Sequence, residues 1–214
     1  MEKNIENLLT LFSESLSGAG LVPSTRKEVS EASINALVRR IIAEIERKKS
    51  TAIAGWHDKP CRKPVCSYLP VILENLTEPK QFPRMLIEMQ DQLEWKYGYP
   101  EHTLPGELSE NYAYTEILGP EGLVHSKEVI AGVILLGPHC DYPAHKHNNI
   151  EEIYLAIHGK VYINQEPLPA GYLKFIDQFG VHELKTSGEP ALILFAWHGE
   201  EEVIRNKDQH FRFV

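Results

Sequence analysis

The stretch that decides the fold is His145–Gly159, HKHNNIEEIYLAIHG. In an extended chain alternate side chains share a face. His145 and His147 therefore point one way and Lys146 the other. In the run that follows, Glu152, Tyr154 and Ala156 share one face, while Ile153, Leu155 and Ile157 share its opposite. Two imidazoles and a carboxylate turned into a small barrel are costly unless something satisfies them. A divalent ion does so, and neutral nitrogens with one hard oxygen suit Zn, Fe, Mn or Ni. A third imidazole would come from a neighbouring strand. His182, which follows the turn-like DQFG of Asp177–Gly180, is the candidate.

Outward from this stretch the chain reads as strands. YAYTEIL, KEVIAGVILLG, EEIYLAIHG, KVYIN, GYLKFI, VHELKT and ALILFAW are short, rich in β-branched and aromatic residues, and separated by turn formers. Such a series after about Asn111 suggests an antiparallel barrel or a double-sheet jelly roll. The first hundred residues read as helices. Ile5, Leu8, Leu9, Phe12 and Leu16 fall on one helical stripe, and Ile34, Leu37, Val38, Ile41, Ile42 and Ile45 on another, with Ser30 as its N-cap. SYLPVILENL is a short helix with Pro70 in its first turn, and RMLIEMQDQLEWKYG a fourth that ends near Gly98. No Gly/Ser linker separates the two halves. The expected organisation is a helical segment over 1–103, packed on a barrel over 104–214 that carries the metal site. Between the second and third helices, His57, Cys61 and Cys66 fall short of the four ligands of a structural zinc site. That stretch reads as a loop covering part of the core.

Composition narrows the partners. The 214 residues carry a formal net charge of -8, which argues against nucleic acid and anionic membrane, since both need clustered Lys and Arg. No apolar run approaches the roughly 18 residues that span a bilayer. The N-terminus mixes acidic residues with its leucines and lacks the pattern of a signal peptide. Three cysteines cannot close a disulfide set, and reduced thiols in a cytoplasmic protein are expected.

With these residues in view, HKHNNIEEIYLAIHG resembles the first cupin motif: His-x-His, a short gap, Glu, six residues, Gly. The second cupin motif has Pro and Gly shortly before its His; here GYLKFIDQFGVH lacks the proline and displaces the glycine. Within the cupins, the chain is similar to the dimethylsulfoniopropionate (DMSP) lyases. The resemblance rests on Tyr154 two residues beyond Glu152, Tyr142 just before the His pair, Trp197 in FAWHGE, and a helical segment ahead of the barrel. It implies a mainly β, cupin-type antiparallel barrel or jelly roll, one metal held by His145, His147, Glu152 and His182, and a homodimer.

The chemistry it implies is β-elimination. A metal on the substrate carboxylate acidifies the α-proton. Tyr154 is the candidate base, and Tyr142 and Trp197 are candidate aromatic walls for a sulfonium through cation–π attraction. The substrate would be a small zwitterionic carboxylate, cleaved to dimethyl sulfide and acrylate. Two alternatives stay open: a cupin dioxygenase or isomerase in which Tyr154 only orients substrate, and a small-molecule sensor that needs no base. Glu151 is the neighbour that a three-residue spacing would make the ligand instead of Glu152. Cys140 reads as a small buried hydrophobe, and His139, His158 and His198 as spare histidines.

Overall fold

The computed structural model of the chain describes residues 2–23, 29–49, 61–76, 81–98, 102, 104, 106–206 and 211–214. Four helices form the N-terminal half: α1 (Glu2–Ser17), α2 (Glu31–Lys49), α3 (Leu69–Asn75) and α4 (Gln81–Met89). The apolar stripes of α1 and α2 are buried as their spacing demands, from Ile5 to Leu16 and from Ile34 to Ile45. Ser30 caps α2 through its Oγ, which accepts the Ser33 N–H at 3.1 Å, and Arg47, Lys48 and Lys49 close its last turn, where cations suit the helix dipole. Pro70 lies in the first turn of α3, where the missing N–H costs nothing.

The fourth helix departs from expectation. It starts at Gln81 and stops at Met89. Beyond it, Leu93 and Trp95 are buried at a spacing of two, the signature of an extended chain. Trp95 donates its N–H to the Cys61 carbonyl, and Lys96 exchanges both backbone hydrogen bonds with Tyr114. Tertiary pairing overrides the helical propensity of QDQLEWK.

The strands are β1 (Gly20–Leu21), β2 (Tyr112–Leu118), β3 (Val129–Leu136), β4 (Asp141–His147), β5 (Glu151–His158), β6 (Val161–Ile163), β7 (Glu166–Leu168), β8 (Tyr172–Ile176), β9 (His182–Thr186), β10 (Ala191–His198) and β11 (Phe211–Phe213). Short helices α5 (Leu108–Asn111) and α6 (Glu201–Arg205) flank β2 and follow β10. The strands make two sheets, ordered β1-β8-β5-β10-β3-β2 and β11-β4-β9-β6-β7. The fold is thus the jelly-roll form of the expected architecture, with the sheets not closed into a barrel. Among the named strands, pairings are antiparallel except that of β1, from the N-terminal half, with β8. Gly159 ends β5 at φ +92°; a Cβ there would lie 2.5 Å from the Pro190 carbonyl oxygen and 2.8 Å from Ala191 Cβ. The last residue of the first motif is therefore a steric requirement of the β5–β10 approach.

The six-stranded sheet has two different faces. Its outer face, with Ala113, Ile117, Val133, Leu135, Ile153, Leu155, Leu192 and Leu194, shares one apolar cluster with the helices. Each such large side chain, fully buried, contributes about 1.5–3 kcal/mol. Its inner face, with Tyr112, Ile130, Ile134, Tyr154, Ile193 and Phe195, forms a second cluster between the sheets. A buried polar contact ties α2 to the connection that leads into β3: Ser126 Oγ donates to Glu44 Oε1 at 2.7 Å, and Arg47 holds the same carboxylate from α2.

Candidate active site

Two strands of the five-stranded sheet supply the imidazoles. His145 and His147 alternate with Lys146 on β4. His182 opens β9 directly opposite His145, after an irregularity between Tyr142 and His145. All three are buried, and their ligand-capable nitrogens lie within 4.8 Å of one another. The opposite sheet supplies the carboxylate. Glu152 is 1% exposed, and its Oε2 lies 3.1 Å from His182 Nε2 and 3.6 Å from His147 Nε2. The four expected metal ligands are thus brought together between the sheets. Glu151 faces away from them and pairs with His198 at 3.3 Å.

Backbone carbonyls orient two of the rings. His145 Nδ1 lies 2.8 Å from the Pro143 carbonyl oxygen, and His182 Nδ1 lies 3.0 Å from that of Gly180. A carbonyl only accepts, so these nitrogens carry the protons and each Nε2 keeps a lone pair. This is the second layer that fixes the tautomer of a metal-binding histidine. It also sets the His182 lone pair against Glu152 Oε2 at 3.1 Å, and that oxygen, fully buried, receives no hydrogen bond. With that ring neutral, two lone pairs converge there, and a cation between the ring and the carboxylate would serve both. The donor set of three imidazoles and one carboxylate fits a divalent transition ion.

The charges agree. Burial pulls His147 down to about 4, against the opposing pull of Glu152. It puts His145 well below the usual imidazole range, helped by His182 and His147 beside it. Burial alone would raise Glu152, but His147 and His182 outweigh it and hold the carboxyl at about 2. At neutral pH His145 and His147 are neutral bases beside a carboxylate, a state ready for a dication.

Tyr154 stands on the same face of β5 as Glu152. It is 2% exposed, and its hydroxyl lies 3.0 Å from His182 Nε2. Burial, then the negative charge of Glu152, raises its phenol well above the ordinary range. Trp197, opposite Glu152 on β10, donates its indole N–H to Glu152 Oε1 at 2.5 Å. Its ring also lies 4.2 Å from that of His147, tilted at 48°, so it serves the carboxylate as well as the wall. Tyr142 is buried, with its ring 4.8 Å from that of His145 and 4.5 Å from that of Tyr112.

Tyr142, His145, His147, Glu152, Tyr154 and Trp197 line one cavity; among its other lining residues, Tyr112, Tyr114, Glu116 and Phe195 were not singled out from the sequence. Tyr112, Tyr114 and Glu116 alternate along YAYTEIL, so the period-two signal was present. Elsewhere, Cys140 is buried, and burial pushes its thiol up to about 12. Cys61 and Cys66 are free thiols, and His57 lies outside the described residues.

A family model for the DMSP lyases matches residues 35–193, well over half of the chain. The chain belongs to the DMSP lyase family. A curated protein of Cereibacter sphaeroides, named as a candidate DMSP lyase, DddL, is 36% identical over 121 residues, which are 56% of this chain and 51% of that protein. The chain thus spans about half the length of this curated relative. Among solved structures, one reported for the DMSP lyases RdDddP and RnDddQII aligns over the whole of both chains at 18% identity, with a TM-score of 0.69. The DMSP lyase DddQ of Ruegeria pomeroyi aligns over 79% of this chain and 93% of its own at 20% identity, with a TM-score of 0.59. At such identities these two likenesses show that the family member shares their fold.

Proposed function

We propose that this chain cleaves DMSP to dimethyl sulfide and acrylate by β-elimination, with one divalent ion (Zn, Fe, Mn or Ni) held by His145, His147, Glu152 and His182. The observation that carries the reading is the Tyr154 hydroxyl, 3.0 Å from a candidate ligand atom, inside an aromatic-walled cavity. A bound ion would polarise the substrate carboxylate and so acidify its α-proton. Tyr154 is the base that takes this proton. The C–H electron pair becomes the C=C bond of acrylate, and the Cβ–S pair leaves on sulfur as neutral dimethyl sulfide.

The chain's own groups prepare that step. In the absence of a cation, the Tyr154 phenol is held protonated by burial and by Glu152. Neutralising the Glu152 charge removes the second of these causes and moves the phenol toward the ionised form. The Trp197 N–H keeps Glu152 oriented. Tyr142 and Trp197 offer faces to a sulfonium, which accepts no hydrogen bond and is held by cation–π attraction. Tyr154 is buried between the two sheets, which keeps bulk water from the base.

The same reading makes the protein a cytoplasmic homodimer. Among the described residues, no helix is long and apolar enough to cross a membrane. The decisive experiment is headspace detection of dimethyl sulfide from the purified, metal-loaded protein given DMSP. Its absence with each of the four metals would overturn the lyase assignment.

A further inference from the structure

Phe195 faces the cavity, and the reaction above gives it no role. Tyr154 on β5, Phe195 on β10, Gly132 on β3 and Glu116 on β2 pair in succession, so they form one inward row across the six-stranded sheet. Ile130 and Ile134 stand two residues to either side of Gly132 and line the same cavity. Gly132 is therefore a gap in the wall between two branched side chains, and the Phe195 ring fills it. A Cβ at Gly132 would lie 2.8 Å from Cε1 and 3.0 Å from Cζ of that ring, and 2.1 Å from the Thr115 carbonyl oxygen. No side chain fits there. The far edge of the ring thus lies over β3, away from the strand that carries Tyr154.

Two other rings hold Phe195 in that attitude. Trp197 meets it at 5.9 Å between centroids and 64° between planes, and Tyr114 at 6.0 Å and 78°. Both are the edge-to-face geometry that aromatic pairs favour. Phe195 is itself buried, and a close-packed neighbourhood lets a ring yield little. The room beside the Tyr154 hydroxyl is bounded by a wall of fixed depth.

In the lyase reading the substrate carboxylate meets the ion near His145, His147 and His182, and the α-carbon meets the Tyr154 hydroxyl. The next inward side chain of that row is Phe195, one strand spacing of about 4.8 Å away. A β-carbon, a sulfur and its alkyl groups extend across that distance.

We infer that Phe195, laid back over Gly132, is the gauge for the S-alkyl groups, and that it selects a dimethyl onium carboxylate over homologues with longer chains on sulfur. This deepens the lyase reading and rests on it for the identity of the ligand. Cation–π attraction follows the charge and says little about chain length, so Tyr142 and Trp197 do not supply that selection. A fixed apolar wall does, since one methylene there is worth about 10–200-fold.

The test compares DMSP with its diethyl homologue in the metal-loaded protein, by kcat/KM for release of the dialkyl sulfide. The native protein should prefer DMSP by about tenfold or more. Phe195→Leu and Phe195→Ala open the wall by increasing amounts and should reduce that preference in the same order, with the diethyl compound gaining in absolute kcat/KM. Phe195→Leu, which removes less volume, keeps the test in hand where Phe195→Ala does not fold. The matched control is Phe12→Leu, in the helical cluster and edge to face with Phe82. It should lower the thermal midpoint and leave the ratio of the two substrates unchanged. No preference in the native protein, a fixed ratio in the Phe195 variants, or an equal shift in Phe12→Leu overturns the inference.

Calorimetric binding of both compounds in the Tyr154→Phe background, with and without Phe195→Leu, reads the same selection without turnover. A binding preference that relaxes with Phe195→Leu, in a protein that releases no sulfide, overturns the lyase reading and supports this one. Release of dimethyl sulfide with a fixed ratio does the reverse, and failure of both compounds to bind overturns both.

Discussion

The six-stranded sheet carries two kinds of surface on the same strands. Outward, Ala113, Ile117, Val133, Leu155 and Leu194 meet the helices in an apolar cluster. Inward, Tyr114, Glu116, Glu152, Tyr154 and Trp197 line the cavity. Residues adjacent in sequence, such as Tyr154 and Leu155, therefore serve different ends. The outer face is paired with helices because apolar area is worth burying. The inner face holds charge and hydroxyls, which are costly to bury and repay that cost only through a ligand. Outer-face damage should be read in folding, and inner-face damage in chemistry.

The largest expected effect tests the outer face. We propose that segment 1–103 and the jelly roll of 104–214 form one folding unit. A chain beginning at Leu104 would uncover Ile117, Leu135, Leu155 and Leu194, and it should be insoluble or lack cooperative unfolding. A soluble, fully active fragment would break the comparison. The inner face gives the converse. His145→Ala with His147→Ala should abolish metal content and turnover while circular dichroism of the metal-stripped protein stays native-like. Stoichiometric metal in that variant would show that other groups hold it.

A smaller change sharpens the reading within the site. Tyr154→Phe keeps the ring and its packing, so metal content should hold near its native value. Turnover should fall by on the order of 10²–10⁴, the usual worth of a positioned general base. A few-fold loss would remove tyrosine from the role of base. Turnover by the native protein should rise with pH as the phenol ionises, and Tyr154→Phe should lack that limb.

The smallest effect is thermodynamic. His147 is lowered from 6.5 to about 4 in the folded chain, so between those values the unfolded chain binds the extra proton. The His147 contribution to the stability of the metal-stripped protein should therefore be full above about pH 6.5 and fall by about 3 kcal/mol toward pH 4, where this component levels off, with His145 adding a further loss below about pH 6.5. Glu152, lowered from 4.5 to about 2, should add a second loss only below about pH 4.5. Denaturant titrations across pH, with and without His147→Ala, measure the first component.

The parts of the site legible in the sequence were those set by local geometry. His145 with His147, and Glu152 with Tyr154, share faces because strand alternation is a property of neighbours. His182 was singled out as the histidine that follows the turn-like DQFG, and its placement opposite His145 depends on pairing between β4 and β9. Tyr112, Tyr114 and Glu116 were visible as an alternating set on a strand, yet their membership of the cavity follows from three successive strand registers. No local pattern reports those. The same holds for the end of α4. RMLIEMQDQLEWKYG reads as one helix from its composition, and the exchange of hydrogen bonds between Lys96 and Tyr114 decides against it at the end. Strands of two or three residues, β1 and β7, are too short to show any period.

One feature of the site reaches beyond catalysis. Three of the gathered donors belong to one sheet and the fourth to the other. An ion bound by all four would be a rivet through the sandwich, and its affinity would become mechanical cohesion between two layers otherwise joined by packing and by a few contacts such as that of Tyr154 with His182. At a free concentration one hundred times its dissociation constant, such an ion adds about 2.7 kcal/mol to the folded state. Metal supply would then govern how long the chain survives heat and proteases, as well as how fast it turns over.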